Sequence, residues 1–174
     1  MNVVQELAAR TLLVILAAAV VQDFMYMKIS NRLILMGILF SLAFGLTTGG
    51  PKQVIYVLAN LSFPVIVLYL LYLLGVLGAG DIKLFSIIGG FTNFRLLISC
   101  MFFSFVVAAV IAVCKMLYNR NFCGSLLRAG TYFRSLRQEG IVSYHKEWAE
   151  HRNLMHFSVA ILIGYIAAVA VQVL

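Results

Sequence analysis

Long stretches without a charged residue limit what this chain can fold into. Four of them approach or exceed the roughly 20 residues that an α-helix needs to cross the hydrocarbon of a bilayer: residues 33–51, 53–80, 96–114 and 153–174. Overall, 63% of the residues are hydrophobic and 11% are charged, which is far from the composition of soluble domains. The sequence therefore predicts an all-α membrane protein, a polytopic helix bundle in one domain over residues 1–174.

Two further segments are expected to cross the membrane, giving about six transmembrane helices. Residues 7–27 are interrupted only by Arg10 and Asp23, and residues 84–94 form a shorter apolar run. At about 1.5 Å per residue the shorter run does not span about 30 Å of hydrocarbon, so we expect a tilted or extended helix, or a thinner membrane. The N-terminal run also has features of a signal peptide, but it lacks a positive n-region and further spans follow directly.

The basic residues indicate the orientation. With the N-terminus outside, six crossings place residues 24–32, 76–83 and 115–152 on the inner side. Ten basic residues then lie inside and three outside, in agreement with the positive-inside rule: Lys28, Arg32, Lys83, Lys115, Arg120, Arg128, Arg134, Arg137, Lys146 and Arg152 inside, and Arg10, Lys52 and Arg95 outside. The net charge of +7 follows from this topology and the anionic inner leaflet, so we expect no nucleic acid partner.

The inner segment 115–152 has a pattern of its own. Apolar residues recur there at helical spacing, at Phe122, Leu126, Ala129, Phe133 and Leu136. The pattern predicts an amphipathic helix in the plane of the lipid headgroups. We interpret it as an anchor on membrane lipids, with a docking site for substrate as the alternative.

Possible metal ligands are unfavourably spaced. The cysteines form no CxxC pair and the histidines do not share a helical face, at positions Cys100, Cys114, Cys123, His145, His151 and His156. The sequence therefore predicts neither a zinc site nor a disulfide framework.

The chain has only two aspartates, Asp23 in VVQDFMYMKISN and Asp81 in GAGDIKLF. Two predicted crossings separate them, and an even number of crossings returns the chain to the same side, so both carboxylates should lie at the inner end of apolar segments. An ionised carboxylate is costly there unless it is paired, hydrated or protonated. Such positions indicate function.

Two carboxylates close together in a site of low polarity do not both ionise easily. The ionised member can take a proton from water, the water attacks a peptide carbonyl, and the protonated member donates to the carbonyl oxygen. This chemistry predicts an aspartic peptidase with Asp23 and Asp81 as the catalytic pair. It needs no metal and no cofactor.

Two glycines precede the second aspartate. Because glycine adopts backbone angles closed to other residues, we expect Gly78 and Gly80 to shape the backbone and to leave room for an extended substrate beside Asp81. Asp81 also has a simpler interpretation, as a cap of the following helix. Lys83 should point away from it and extend to lipid headgroups. GAGDIK matches neither a dinucleotide-binding motif nor a P-loop.

Together these motifs resemble the A24 family of GxGD membrane aspartic peptidases, which comprises type IV prepilin peptidases and archaeal preflagellin peptidases. The resemblance covers almost the whole chain in span order and in the positions of both acids. It implies that Asp23 and Asp81 are the catalytic dyad and that Gly78, Gly80 and Lys83 complete the second motif.

The first motif resembles the family pattern with one departure. Ile29 and Asn31 match the I-P-N that commonly follows the first aspartate, with Ser30 in place of proline. Near the start of the last span, MHFSVAI is similar to the P-F-x-P-x-[IL] segment of the family without its prolines, and we assign no role there. Presenilin-like proteases also contain GxGD, but much later in the chain and with a Y-D partner that is absent here.

The resemblance implies a substrate and a location. The substrate would be a pilin-like precursor (a type IV prepilin, a tight-adherence pilin or a preflagellin) with a basic leader and a hydrophobic stem. It would be cut at the cytoplasmic face of the inner membrane, just before the stem. Longer members carry paired CxxC motifs and also methylate the new N-terminus, so this chain is expected to cleave without methylating. Assembly into a homo-oligomer is left open.

Acids in membrane segments also carry protons or ions in transporters, so a small coupled transporter is the alternative function. Its transport acids would be expected near the midplane, often within an inverted repeat, and the sequence has neither feature. A non-catalytic assembly subunit is a third hypothesis. Loss of leader cleavage in Asp23→Asn and Asp81→Asn variants would separate the three.

Overall fold

The computed structural model describes residues 3–26, 29–74, 76–118 and 157–173. These residues form α-helices without any strand, as the sequence predicts: α1 (Val3–Tyr26), α2 (Asn31–Leu73), α3 (Ala79–Phe91), α4 (Phe94–Tyr118) and α5 (Phe157–Val173). The chain up to Val107 and α5 belong to one compact unit, which carries every contact discussed below. The end of α4, residues 108–118, belongs to a second unit.

The helices are those of a multi-pass membrane protein. Three segments are long and apolar enough to cross a bilayer, Glu6–Tyr26, Asn31–Leu73 and Phe94–Lys115, and α5 contributes a shorter apolar helix, Phe157–Gln172. Large apolar side chains on their outer faces are exposed, as expected where lipid takes the place of water; Ile66, for example, is 74% exposed. The count of six crossings remains a prediction.

A break in the middle of α2 divides it into a first arm, residues 31–48, and a second arm, residues 51–73. Gly49 (φ −148°, ψ 15°) and Gly50 (φ 64°, ψ −155°) leave helical geometry, and the angles of Gly50 are adopted almost only by glycine. The two arms of α2 fold back on each other. This is shown by Val57 Cγ2 of the second arm, which lies 2.9 Å from where a Cβ on Gly45 of the first arm would be. Twelve residues of straight helix would separate them by about 18 Å.

The two arms correspond to the predicted spans 33–51 and 53–80, but the second arm ends at Leu73. The next helix, α3, begins at Ala79, before the predicted apolar run 84–94. The predicted run begins later than α3 because its limits were placed at charged residues. A helix, however, accepts an acidic residue in its first turn. Asp81 and Lys83 therefore lie inside α3 rather than before it.

The shortest of these helices is the most buried. Every residue of α3 from Leu84 to Gly90 is buried, and the helix packs against α1, α2 and α5. The Phe85 ring lies 6.2 Å, centroid to centroid, from both Phe105 of α4 and Phe157 of α5. The helix that begins at the GAGD motif is thus the centre of the bundle.

Small residues permit this packing. A Cβ on Gly89 would lie 2.5 Å from the Asn60 carbonyl oxygen, and one on Gly90 would lie 2.6 Å from Ser41 Oγ. In lipid no hydrophobic force drives helices together, so association depends on such close backbone contacts. The amphipathic helix predicted within residues 115–152, Cys123 and the three histidines lie outside the described residues.

Candidate active site

Asp81 lies in the first turn of α3, with its carboxylate half-buried. Gly78 is the N-cap residue, and its backbone N–H donates to Asp81 Oδ2 over 3.2 Å. In return the Asp81 N–H donates to the Gly78 carbonyl over 3.1 Å. Gly78, and not Asp81 as predicted, is therefore the N-cap, and Asp81 accepts from the N-cap amide from within the first turn. This bond holds the carboxylate at the positive end of the helix dipole, where an acidic group is favoured.

The prediction of special backbone angles at the two glycines of this motif is wrong. Gly78 is extended (φ −78°, ψ 149°) and Gly80 is helical, and Gly50 alone has a positive φ among the described residues. Their small size matters instead. A Cβ on Gly78 would lie 3.1 Å from Asp81 Oδ2, and one on Gly80 would lie 3.2 Å from Ile29 Cδ1. The protein's own side chains thus lie close to where a Cβ would be at each glycine, and room for a substrate beside Asp81 remains a prediction.

Two contacts join the segment after the first aspartate to the motif around the second. The Ile29 side chain packs on Gly80, and the Lys83 ammonium donates to Asn31 Oδ1 over 2.9 Å. Ile29 and Asn31 come six and eight residues after the first aspartate, whereas Gly80 and Lys83 flank the second. Four of the five predicted shaping residues therefore meet in two pairs, although 52 positions separate Lys83 from Asn31.

The interpretation of Lys83 as a lysine extending to lipid headgroups is wrong. Its side chain is exposed, yet its ammonium bonds to Asn31 at the start of α2. The Asn31 amide oxygen lies within hydrogen-bond distance of the ammonium. The two residues are 52 positions apart in the sequence, so helical spacing does not predict this bond. Lys83 therefore links α3 to α2.

The departure from I-P-N has a structural role. Ser30 is the N-cap of α2, and its hydroxyl accepts from the Arg32 N–H over 3.3 Å. Its own N–H donates to Gln22 Oε1 over 2.9 Å, which ties the chain before α2 back to α1. A proline at this position has no N–H to give and no hydroxyl to cap the helix. Serine thus supplies two hydrogen bonds that a proline here would lack.

Asp23 lies in the last turn of α1 and is half-buried. Ser158 Oγ donates to Asp23 Oδ2 over 2.6 Å. Ser158 is 1% exposed and is the second residue of α5. The sequence analysis assigns it no role. The available signal was weak, a serine at the start of an apolar helix, and no sequence spacing links it to Asp23.

An apolar groove adjoins Lys83 of the second motif. It has a volume of about 400 Å³ and lies between the two arms of α2 and α3, with Lys83 and Ser86 among its lining residues. Among the described residues, no group of three or more His, Cys, Asp or Glu side chains is arranged to hold a metal ion. The described site therefore consists of carboxylates, their hydrogen-bond donors and an apolar groove.

Comparison with known proteins identifies the family. A sequence model of the type IV leader peptidase family matches residues 11–113, more than half of the chain, including both aspartates and α3. The fold and this match define a multi-pass membrane peptidase. The chain belongs to the type IV leader peptidase family, Peptidase A24. No curated protein and no solved structure matches it.

Proposed function

We propose that the protein is an intramembrane aspartic endopeptidase that removes the leader peptide of pilin-like precursors at the cytoplasmic face of the inner membrane. Membership of the leader peptidase family supports the general activity. The observation that carries the proposal is the contact between the two acidic motifs, through Ile29 on Gly80 and Lys83 on Asn31. These contacts bring the segment that follows Asp23 to the start of the helix that bears Asp81.

In the proposed reaction the two carboxylates share one proton. The ionised member accepts a proton from water as the water oxygen attacks the scissile carbonyl carbon, and the protonated member donates to the carbonyl oxygen. Collapse of the tetrahedral intermediate breaks the C–N bond: the departing amine takes the proton that the first carboxylate accepted from water, and a hydroxyl of the intermediate returns a proton to the second carboxylate. The leader leaves with a carboxyl end, and the stem keeps a new N-terminus.

The substrate we propose is a type IV prepilin, a tight-adherence pilin or a preflagellin. Its hydrophobic stem suits the apolar groove beside Lys83, and its basic leader would stay in the cytoplasm, on the side where the positive-inside rule places most of this chain's basic residues. Cleavage needs no metal or cofactor in this mechanism. We propose that the chain does not methylate the new N-terminus.

A cleavage assay in liposomes tests the proposal. The purified protein is reconstituted with a synthetic precursor that has a basic leader and a hydrophobic stem, and products are identified by mass. The wild-type protein should cut once, just before the stem. Asp23→Asn and Asp81→Asn should each lower the rate by about a thousandfold or more, because each removes a proton-transfer group.

Ser41→Ala is the matched control. Ser41 is fully buried in the first arm of α2, and its hydroxyl bonds to the Ile38 carbonyl of its own helix. This variant should cleave at the wild-type rate. Cleavage that survives in either Asn variant would contradict the proposal, as would an uncut precursor together with a proton flux that depends on the same acids. The latter result would favour the transporter.

A further inference from the structure

A hydrogen bond from the last helix reaches the first aspartate. Ser158 Oγ and Asp23 Oδ2 are 2.6 Å apart, and 135 positions separate the two residues in the sequence. Ser158 lies beyond the segment matched by the family, which ends at residue 113. The family match therefore assigns no role to this contact.

We propose that Ser158 is a positioning residue that holds the Asp23 carboxylate in its catalytic orientation. The inference rests on the proposed function, in which Asp23 belongs to the catalytic dyad. The torsion that turns a carboxylate about its Cβ–Cγ bond has broad, shallow minima. A short hydrogen bond to one named oxygen restricts that rotation, and charge-assisted bonds of this length are among the strongest.

Ser158 differs from the other buried serines. The described residues contain three more, and each donates to a carbonyl of its own helix: Ser41 to Ile38, Ser86 to Ile82 and Ser104 to Cys100. That local bond is the common way to satisfy a hydroxyl within an apolar helix. Ser158 instead donates to a carboxylate on a different helix. Its partner is the group assigned to the chemistry.

The start of α5 is held firmly enough to position a side chain. Phe157, next to Ser158, packs its ring 6.2 Å from Phe85 of α3 and 5.8 Å from Phe105 of α4, centroid to centroid. One turn further, Ala160 and Ile161 are at most 1% exposed. The first turn of α5 therefore contacts α3 through Phe157 and α1 through Ser158, the two helices that bear the aspartates.

Three substitutions at this position separate a hydrogen bond from simple packing. Ser158→Ala removes the hydroxyl, Ser158→Cys keeps about the same volume with a much weaker donor, and Ser158→Thr keeps the hydroxyl. Steady-state cleavage of the synthetic precursor gives kcat and KM for each variant, with rates normalised to folded protein. We expect Ala and Cys to lower kcat about tenfold, the scale of one lost hydrogen bond to a charged group. KM should stay within about twofold because Ser158 acts through Asp23.

Ser158→Thr keeps the hydroxyl and should have the kcat of the wild-type protein. Ser104→Ala is the control. Ser104 is a buried serine that also contacts α5, at Gly164, but its hydroxyl bonds within its own helix, so its loss should leave kcat unchanged. Wild-type kcat in Ser158→Ala would overturn the inference. Wild-type kcat in Ser158→Cys would also overturn it, because volume alone would then suffice. The Ala and Cys results decide the matter even where the Thr variant folds poorly.

The same assay keeps this inference apart from the proposed function. Asp23→Asn that still cleaves would remove the function on which the inference rests. An inactive Asp23→Asn together with a fully active Ser158→Ala would remove the inference alone.

Discussion

The two ends of α3 are held in place in different ways. The C-terminal end is fixed by volume, since Gly89 lies against the Asn60 carbonyl and Gly90 lies against Ser41. Asn60 also donates from its amide to the Thr92 carbonyl over 3.2 Å. Nothing larger than hydrogen fits at the two glycines, and the residues around them are buried.

The N-terminal end is held by a few polar contacts. Asp81 accepts from Gly78, Lys83 donates to Asn31, and the side chains involved are half-buried or exposed. A Cβ on Gly80 would lie closest to the Ile29 side chain, 3.2 Å from its Cδ1. The difference teaches that rigid packing at one end positions the helix. The other end, which carries the Asp81 carboxylate, is half-buried or exposed.

The largest effect on stability should come from filling the packed end. Gly89→Ala would place its Cβ 2.5 Å from a backbone oxygen, so two helices must separate, and we expect the free energy of unfolding to fall by about 2 kcal/mol. Gly80→Ala is the matched control at the polar end. Its Cβ meets a flexible side chain at 3.2 Å, so its cost should be below about 1 kcal/mol, the low end of overpacking effects.

Reversible unfolding in detergent–lipid mixtures measures both free energies. Equal costs for the two alanines would mean that the ends of α3 are packed alike, against the comparison drawn above.

A smaller effect, on activity rather than stability, is expected at the bond between the motifs. Lys83→Met keeps the length of the side chain but removes the donor to Asn31, and we expect cleavage to slow about tenfold. Stability should change by less than about 1 kcal/mol, because the lysine is exposed and exposed polar contacts contribute little.

A double-mutant cycle with Asn31→Ala checks this assignment. If the two residues act through their mutual bond, the double variant should be about as slow as either single variant. If the double variant is instead slower by the product of the two single rate reductions, Lys83 and Asn31 act independently.

The sequence is sufficient to predict the helical membrane class, the long apolar segments of α1, α2 and α4, and a place for Asp81 at the start of a helix. These features are local, since they depend on runs of apolar residues and on residue types within a few positions. The prediction also paired the correct segments, because two crossings return the chain to the same side. The contacts of Ile29 and Asn31 with the second motif agree with that expectation.

The remaining features depend on tertiary contacts. The partner of Lys83 is 52 positions away and the partner of Asp23 is 135 positions away, beyond any helical or turn spacing. The glycines before Asp81 were assigned to unusual backbone angles, although their role is to make room for neighbouring side chains. Sequence spacing indicates that a small residue is needed, but it does not show which atom occupies the space.

The central claim is that Asp23 and Asp81 act as one catalytic unit. Single-turnover leader cleavage by Asp23→Asn, Asp81→Asn and the double variant tests it most directly. We predict the same low residual rate for all three, because removing either acid already removes the proton-sharing pair, and residues that act as a unit are not additive. A single variant that cleaves near the wild-type rate, or a double variant slower by the product of the two losses, would contradict the claim.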